Sequence, residues 1–241
     1  AGRNIEGSIK IENPILWDCN TPHLYELKVK LSDRHGVVDV YTQSFGVREV
    51  KLRDNQIWLN NKPVFLKGFG KHEDFHILGK GFSHAITVKD FSLLKWIGAN
   101  SFRTSHYPYD EEILSYADRN GFLVIGETPF VGLNTRMYTD EILGKATKII
   151  EKMIDRDYNH PSIIMWSMAN EPVVKTEEGI HFFKVMYETA KKKDSSRLIT
   201  YVAQAVPEDN LGMKYYDLIC LTRYNAWYYY QGKIDASLDA L

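Results

Sequence analysis

The 241 residues are 44% hydrophobic and 25% charged, which is ordinary for a globular protein with a sizeable core. A formal net charge of -1 argues against nucleic-acid binding through phosphate neutralisation, and no apolar run reaches the length of a membrane span. Cys19 and Cys220 fall in segments of different character with nothing to pair them, and no Asn-x-Ser/Thr sequon occurs. The expected setting is therefore a reducing compartment, the bacterial cytoplasm.

Residues 1 to about 50 read as β-structure. Ser8 to Ile11, Leu24 to Leu31 and Val37 to Tyr41 are short alternating runs, separated by the turn signals Asn13-Pro14, Thr21-Pro22 and Arg34-His35-Gly36. That is too few strands for a whole immunoglobulin-like sandwich, which needs about seven. A further hairpin is predicted from Gln56–Leu59 and Pro63–Leu66, turning at Asn60-Asn61-Lys62.

From about residue 64 strands alternate with helices. The strands are Val64–Gly68, Asn100–Arg103, Phe122–Glu127, Ser162–Met168, Leu198–Val202 and Leu218–Leu221. Between them fall helices from Thr87 to Ile97, with Thr87 as the cap, from Asp110 to Arg119, up to Tyr158, and from Glu177 to Lys192. A last one begins at Asp235. Such alternation implies right-handed crossovers and a parallel sheet. The predicted fold is α/β: an incomplete (β/α)8 TIM barrel of about six of eight strands, preceded by part of an immunoglobulin-like β-sandwich. The two parts are expected at residues 1–50 and 51–241. The barrel part holds roughly 180 residues against about 250 for a complete one, so the chain reads as truncated at both ends.

Chemistry gathers at the carboxyl ends of these strands, where such barrels build active sites. Lys71-His72-Glu73-Asp74 follows the first strand, Arg103 to Tyr109 the second, Glu127 the third and Arg223-Tyr224 the sixth. The fourth is the most telling. Ile163 to Met168 is a continuous apolar run, as in a strand buried on both faces, and it ends in Asn170-Glu171-Pro172. Pro172 cannot donate to a ladder, so Asn170 and Glu171 should sit at the strand end. There a carboxylate can be tuned for proton transfer. Alone, Asn-Glu-Pro reads more readily as a helix-capping carboxylate; five polar clusters on one rim reverse that and favour a site. His72-Glu73-Asp74-Phe75-His76 also fits the H-E-x-x-H zinc pattern, which works only on a helix, and the glycines around it predict a loop.

The runs Gly68 to Asp74, Trp96 to Tyr109 and Trp166 to Pro172 together resemble the β-glucuronidases of glycoside hydrolase family two, and the likeness extends over almost the whole chain. Related β-galactosidases and β-mannosidases share the Asn-Glu pair, while Lys-His-Glu-Asp followed by Gly79-Lys80-Gly81 leans to the glucuronidases. The resemblance implies a retaining hydrolase of terminal β-D-glucuronides with Glu171 as general acid/base. It implies Asn170, His106, Tyr224, Tyr228, His72 and Asp74 as substrate-binding residues. It implies no cofactor or metal, a small-molecule or glycan glucuronide as the partner, and leaves a homo-oligomer open for a full-length form.

The same likeness puts the nucleophile in a Thr-Glu-Tyr-Gly-like segment, and the Asn-x-Lys pair that reads the sugar carboxylate, beyond residue 241. The chain alone is then expected to be inactive. Two departures stand out: Thr222 where Asn usually precedes Arg-Tyr, and Gly126 where Asp often precedes Glu. The alternatives are another family-two glycosidase, β-galactosidase-like, or an inert fragment or sugar-binding module.

Overall fold

The computed structural model describes residues 6–204 and 210–239. Its first regular element is an antiparallel hairpin, β1 (Tyr25–Asp33) and β2 (Gly36–Phe45), in register Tyr25 to Phe45. Leu27, Val29, Leu31 and Val40 on this hairpin are exposed. Ser8 to Ile11, expected as a strand, has no regular structure. Alternation suits a strand only where a neighbour supplies the ladder, and none of the described strands pairs with it.

A three-stranded antiparallel sheet follows: β3 (Val50–Arg53), β4 (Gln56–Leu59) and β5 (Lys62–Val64). Its turns place Asp54, Asn55, Asn60 and Asn61 at φ of 50°, 58°, 51° and 62°, a conformation Asn and Asp tolerate. The second turn is where the sequence predicts it; β3 and its Asp54-Asn55 turn are additional. Val64 pairs with Ile57 in this sheet, so the first barrel strand starts later than the predicted Val64–Gly68.

That strand, β6 (Gly68–Lys71), opens a six-stranded sheet with β7 (Ser101–Thr104), β8 (Leu123–Glu127), β9 (Ile163–Asn170), β10 (Leu198–Ala203) and β11 (Cys220–Leu221). The strands are parallel and in sequence order across the sheet, a partial TIM barrel with β6 and β11 at its edges. All eight residues of β9 are buried, as its unbroken apolar run requires. Gly68 is needed at the near edge: a β-carbon there would lie 1.7 Å from the Ser101 carbonyl oxygen.

Helices α1 (His84–Trp96), α2 (Glu111–Asn120), α3 (Asp140–Asp157) and α4 (Glu177–Lys193) connect the strands, and a short α5 (Ile234–Asp239) comes last. Asp110, Thr139 and Thr176 cap α2, α3 and α4 by accepting from first-turn amides. The predicted cap of α1 is corrected. Ser83 occupies the N-cap position, and Thr87 lies one turn inside, its hydroxyl donating to the Ser83 carbonyl at 3.0 Å. His84-Ala85-Ile86 carries no breaker, so the helix begins earlier.

The principal core lies between the sheet and its helices, from Phe91 and Ile113 through Ile150 and Trp166 to Phe183 and Tyr201. A second cluster on the lower side joins Leu123, Ile164, Met165 and Leu198 of the barrel to Val50, Leu59 and Trp17. Trp17 is fully buried and its indole donates to the Asp118 carbonyl at 2.8 Å. Arg48 extends the same connection, donating to the Pro161 and Ile163 carbonyls at 3.0 and 2.7 Å. Burial, then the charge of Arg197, lowers its pKa to about 9. The amino-terminal segment and the barrel therefore share a core. Among the described residues no helix is long and apolar enough to cross a membrane.

Candidate active site

β9 ends at Asn170, and the next residue leaves the extended conformation: Glu171 has φ of 49° while its amide donates to the Val202 carbonyl of β10 at 2.7 Å. This turn brings its carboxylate to the segment after β11. Both Thr222 Oγ1 and Tyr224 OH donate to Glu171 Oε1, at 2.9 and 2.6 Å. That hydrogen bond, followed by burial, raises the Tyr224 phenol above its ordinary range. The ring of Tyr228 meets that of Tyr224 edge to face at 5.0 Å and is itself largely exposed.

Thr222, one of the two departures from the family pattern, thus spends its hydroxyl on Glu171. Gly126, the other departure, faces the Trp166 indole, and a β-carbon there would come within 3.0 Å of two ring carbons. A larger residue requires that ring to move.

A second carboxylate lies one strand away. Glu127, at the end of β8, is fully buried. Its Oε2 accepts from Arg103 Nη1 at 2.7 Å and Ser167 Oγ at 2.8 Å, and its Oε1 is 2.6 Å from His106 Nδ1. A carboxylate flanked by Arg103 is acceptor-only, so the imidazole presents Nδ1–H to it. The same Arg103 Nη1 donates to Asn170 Oδ1 at 3.0 Å. A guanidinium cannot accept, so the Asn170 carbonyl must face it and the amide NH2 is left for another partner.

His72 is exposed beyond β6, its ring edge to face with His106 at 5.3 Å. Burial, then His106 and Lys80, hold it below the ordinary imidazole range, with the charge of Asp74 working against them. Asp74 itself is exposed on this loop and joins the cluster only through that charge. Glu73 turns the other way. It is buried, and its Oε1 accepts from the Asp110 amide at 3.4 Å, at the start of α2. Residues 72–79 contain no helix, so His72 and His76 do not share a helical face.

An open cleft of about 220 Å³ lies in the barrel interior between β6 and β11, lined among others by Phe69, Arg103, Val202 and Thr222. Arg103 and Thr222 tie it to the two carboxylate groups just described.

Residues 50–240 match the model for the TIM barrel domain of glycosyl hydrolases family 2, and residues 1–48 match a further model of glycosyl hydrolases family 2. The chain belongs to glycosyl hydrolase family 2. It is 42% identical over 245 residues to a β-glucuronidase of Paenibacillus borealis, an alignment covering 97% of this chain and 41% of the relative. For the β-glucuronidase of Mus musculus the identity is 39% over 240 residues, with 97% and 37% covered. Among solved structures, the β-D-glucuronidase of Dictyoglomus thermophilum superposes with a TM-score of 0.88 at 43% identity, covering 94% of this chain and 41% of that one. A Ruminococcus gnavus β-glucuronidase in complex with uronic deoxynojirimycin does so at 0.88 and 41% identity, covering 95% and 41%. The family 2 chain described here thus spans about two-fifths of the length of the relatives it matches.

Sequence reasoning located the strand-end rim of this family 2 barrel. It did not find the link from Glu127 through Arg103 to Asn170. Ser167, which lies inside an apolar run, carried no signal beyond being a polar residue in a buried strand.

Proposed function

We propose that this family 2 chain, in its full-length form, is a retaining β-glucuronidase that cleaves terminal β-D-glucuronides, with Glu171 as the general acid/base. The observation that carries this is the setting of Glu171. It stands at the end of a buried barrel strand beside Asn170, with two hydroxyl donors on one carboxylate oxygen. With Oε1 occupied as an acceptor, Oε2 is the oxygen available to carry the proton. It delivers that proton to the departing glycosidic oxygen and then takes one from the water that releases the sugar.

A retaining mechanism needs a second carboxylate about 5–5.5 Å from the first. Glu127 is unsuited to that role, because it is fully buried and both its oxygens are engaged by Arg103, Ser167 and His106. The family resemblance assigns the nucleophile, and the group that reads the sugar carboxylate, to sequence outside these 241 residues. As the family resemblance implies, Asn170 offers its amide NH2 to the sugar's 2-hydroxyl, and His106, His72, Tyr224 and Tyr228 supply ring surface and donors on the same rim. Asp74 enters only by its charge. We place the boundary between the sandwich segment and the barrel near residue 50, where the two family models meet. Cys19 and Cys220 are both free, which suits a reducing, cytoplasmic setting.

Glu171→Gln in the full-length protein tests the assignment. It keeps the shape and removes the proton. Hydrolysis of aryl β-glucuronides with poor leaving groups should fall by orders of magnitude, while substrates whose leaving group needs no proton should lose far less in the glycosylation step. Equal loss on both kinds of substrate, or faster hydrolysis of matched β-galactosides by the wild type, would sink the reading.

A further inference from the structure

We propose that Glu127 is a positioning residue that sets which end of the Asn170 amide meets the sugar. This rests on the reading of the site as a family 2 glycosidase centre. It adds a residue that bonds neither Glu171 nor, in that reading, the substrate. Glu127 lies at the end of β8, is fully buried, and is the shared acceptor of groups from both adjoining strands. Arg103 and His106 come from the β7 side and Ser167 comes from β9. Its backbone amide is also tied to β7, donating to Thr104 Oγ1 at 2.8 Å.

A buried carboxylate with three donors has little freedom to rotate, and so it fixes the guanidinium that bonds it. Arg103 Nη1 then spends its remaining direction on Asn170 Oδ1 at 3.0 Å. Without that partner the amide could turn over, and its carbonyl would take the place of its NH2. A sugar hydroxyl would then have to donate where it had accepted. The same carboxylate holds His106 by Nδ1, which leaves Nε2 as the nitrogen free to meet a ligand. One buried charge thus selects the hydrogen-bonding face of two side chains on the rim.

Glu127→Gln in the full-length enzyme is the discriminating variant. It preserves volume but removes the charge that holds Arg103, and its NH2 meets either Arg103 and Ser167 or His106, whose Nδ1 must then turn from donor to acceptor. The readout is the preference in kcat/KM for 4-nitrophenyl β-glucuronide over its 2-deoxy analogue, which reports the hydroxyl that Asn170 is assigned to read. The expected result is a fall of about tenfold or more in that preference, comparable to losing one hydrogen bond to a well-placed group. In an Asn170→Ala background Glu127→Gln should change the preference no further.

A merely structural role would lower Tm and leave the preference intact, and that outcome would overturn the inference while the function stands. Failure of the wild type to hydrolyse glucuronides would overturn the function and the inference together. Should Glu127→Gln not fold, Arg103→Lys carries the same comparison. Lysine keeps the charge but lacks the planar fork that bonds Glu127 and Asn170 together, and an unchanged preference there refutes the proposal.

Discussion

Asp194 anchors the strand that carries the candidate acid/base, and Asp194→Asn should release it. The carboxylate is 1% exposed. Its Oδ2 accepts from Arg197 Nη1 at 2.6 Å and from the Trp166 indole at 2.9 Å, and its Oδ1 from Ser196 Oγ at 2.6 Å. Arg197 in turn donates to the Ile163, Tyr158 and His160 carbonyls at 2.7, 2.6 and 2.9 Å. Two of these links, Trp166 and Ile163, belong to β9. Burial alone would raise the Asp194 carboxyl, but Arg197 and the hydrogen bonds prevail and bring it to about 2 from an ordinary 3.8. That difference is worth about 2.5 kcal/mol of preference for the ionised form in the fold.

Because the folded value is the lower one, this stability is present above pH 3.8 and lost as pH falls towards 2. The Asn variant also strands a buried guanidinium, a loss of about 3–5 kcal/mol at neutral pH. Urea unfolding followed by tryptophan fluorescence should show that loss at pH 7. The gap from wild type should then close by about 2 kcal/mol between pH 5 and pH 2, where the wild-type carboxyl is half protonated. A loss below about 1 kcal/mol at pH 7, or a gap that ignores pH, would refute the reasoning.

Two further outcomes are expected. Gly121 closes α2 at φ of 70°, and a β-carbon would lie 2.3 Å from the Cys19 carbonyl oxygen, whereas Gly79 at φ of 59° faces open space. Gly121→Ala should therefore lower Tm well beyond Gly79→Ala, which carries only the left-handed strain of about 1–2 kcal/mol; equal losses would dismiss the close approach. The Tyr224 phenol, raised first by its hydrogen bond to Glu171, should titrate closer to 10 once Glu171→Gln removes the carboxylate. Side-chain carbon NMR, assigned with Tyr224→Phe, reads this directly, and an unmoved titration would mean the contact is absent in solution.

The elements most legible in the sequence were those whose local pattern and tertiary role agree. Ile163 to Asn170 is apolar because both faces of β9 are covered, and Thr176 followed by Glu177-Glu178 begins α4 where a cap and acidic first turn should. The discrepancies arose where a local preference had two outlets. Val64 reads as a strand whether it pairs with Ile57 or starts the barrel, and only the three-dimensional pairing chose. Thr87 is a good cap residue, yet the helix starts one turn earlier with Ser83 at the N-cap position. Ser8 to Ile11 alternates but has no described strand beside it.

At the site the division is sharper. By itself the sequence determined that Asn170 and Glu171 end a buried strand, since an apolar run stopped by proline permits little else. It also determined that His106, Tyr224 and Tyr228 follow strands of the same barrel, because alternating strands and helices put all carboxyl ends on one rim. Only the tertiary structure decided that two hydroxyls converge on a single oxygen of Glu171. The same is true of Glu127 holding Arg103, and of Arg103 meeting the carbonyl end of the Asn170 amide. These are contacts across 51, 53, 24 and 67 residues of chain. Hydrogen bonds have direction and a reach of about 3 Å, and no periodicity along the chain encodes which donors arrive within it.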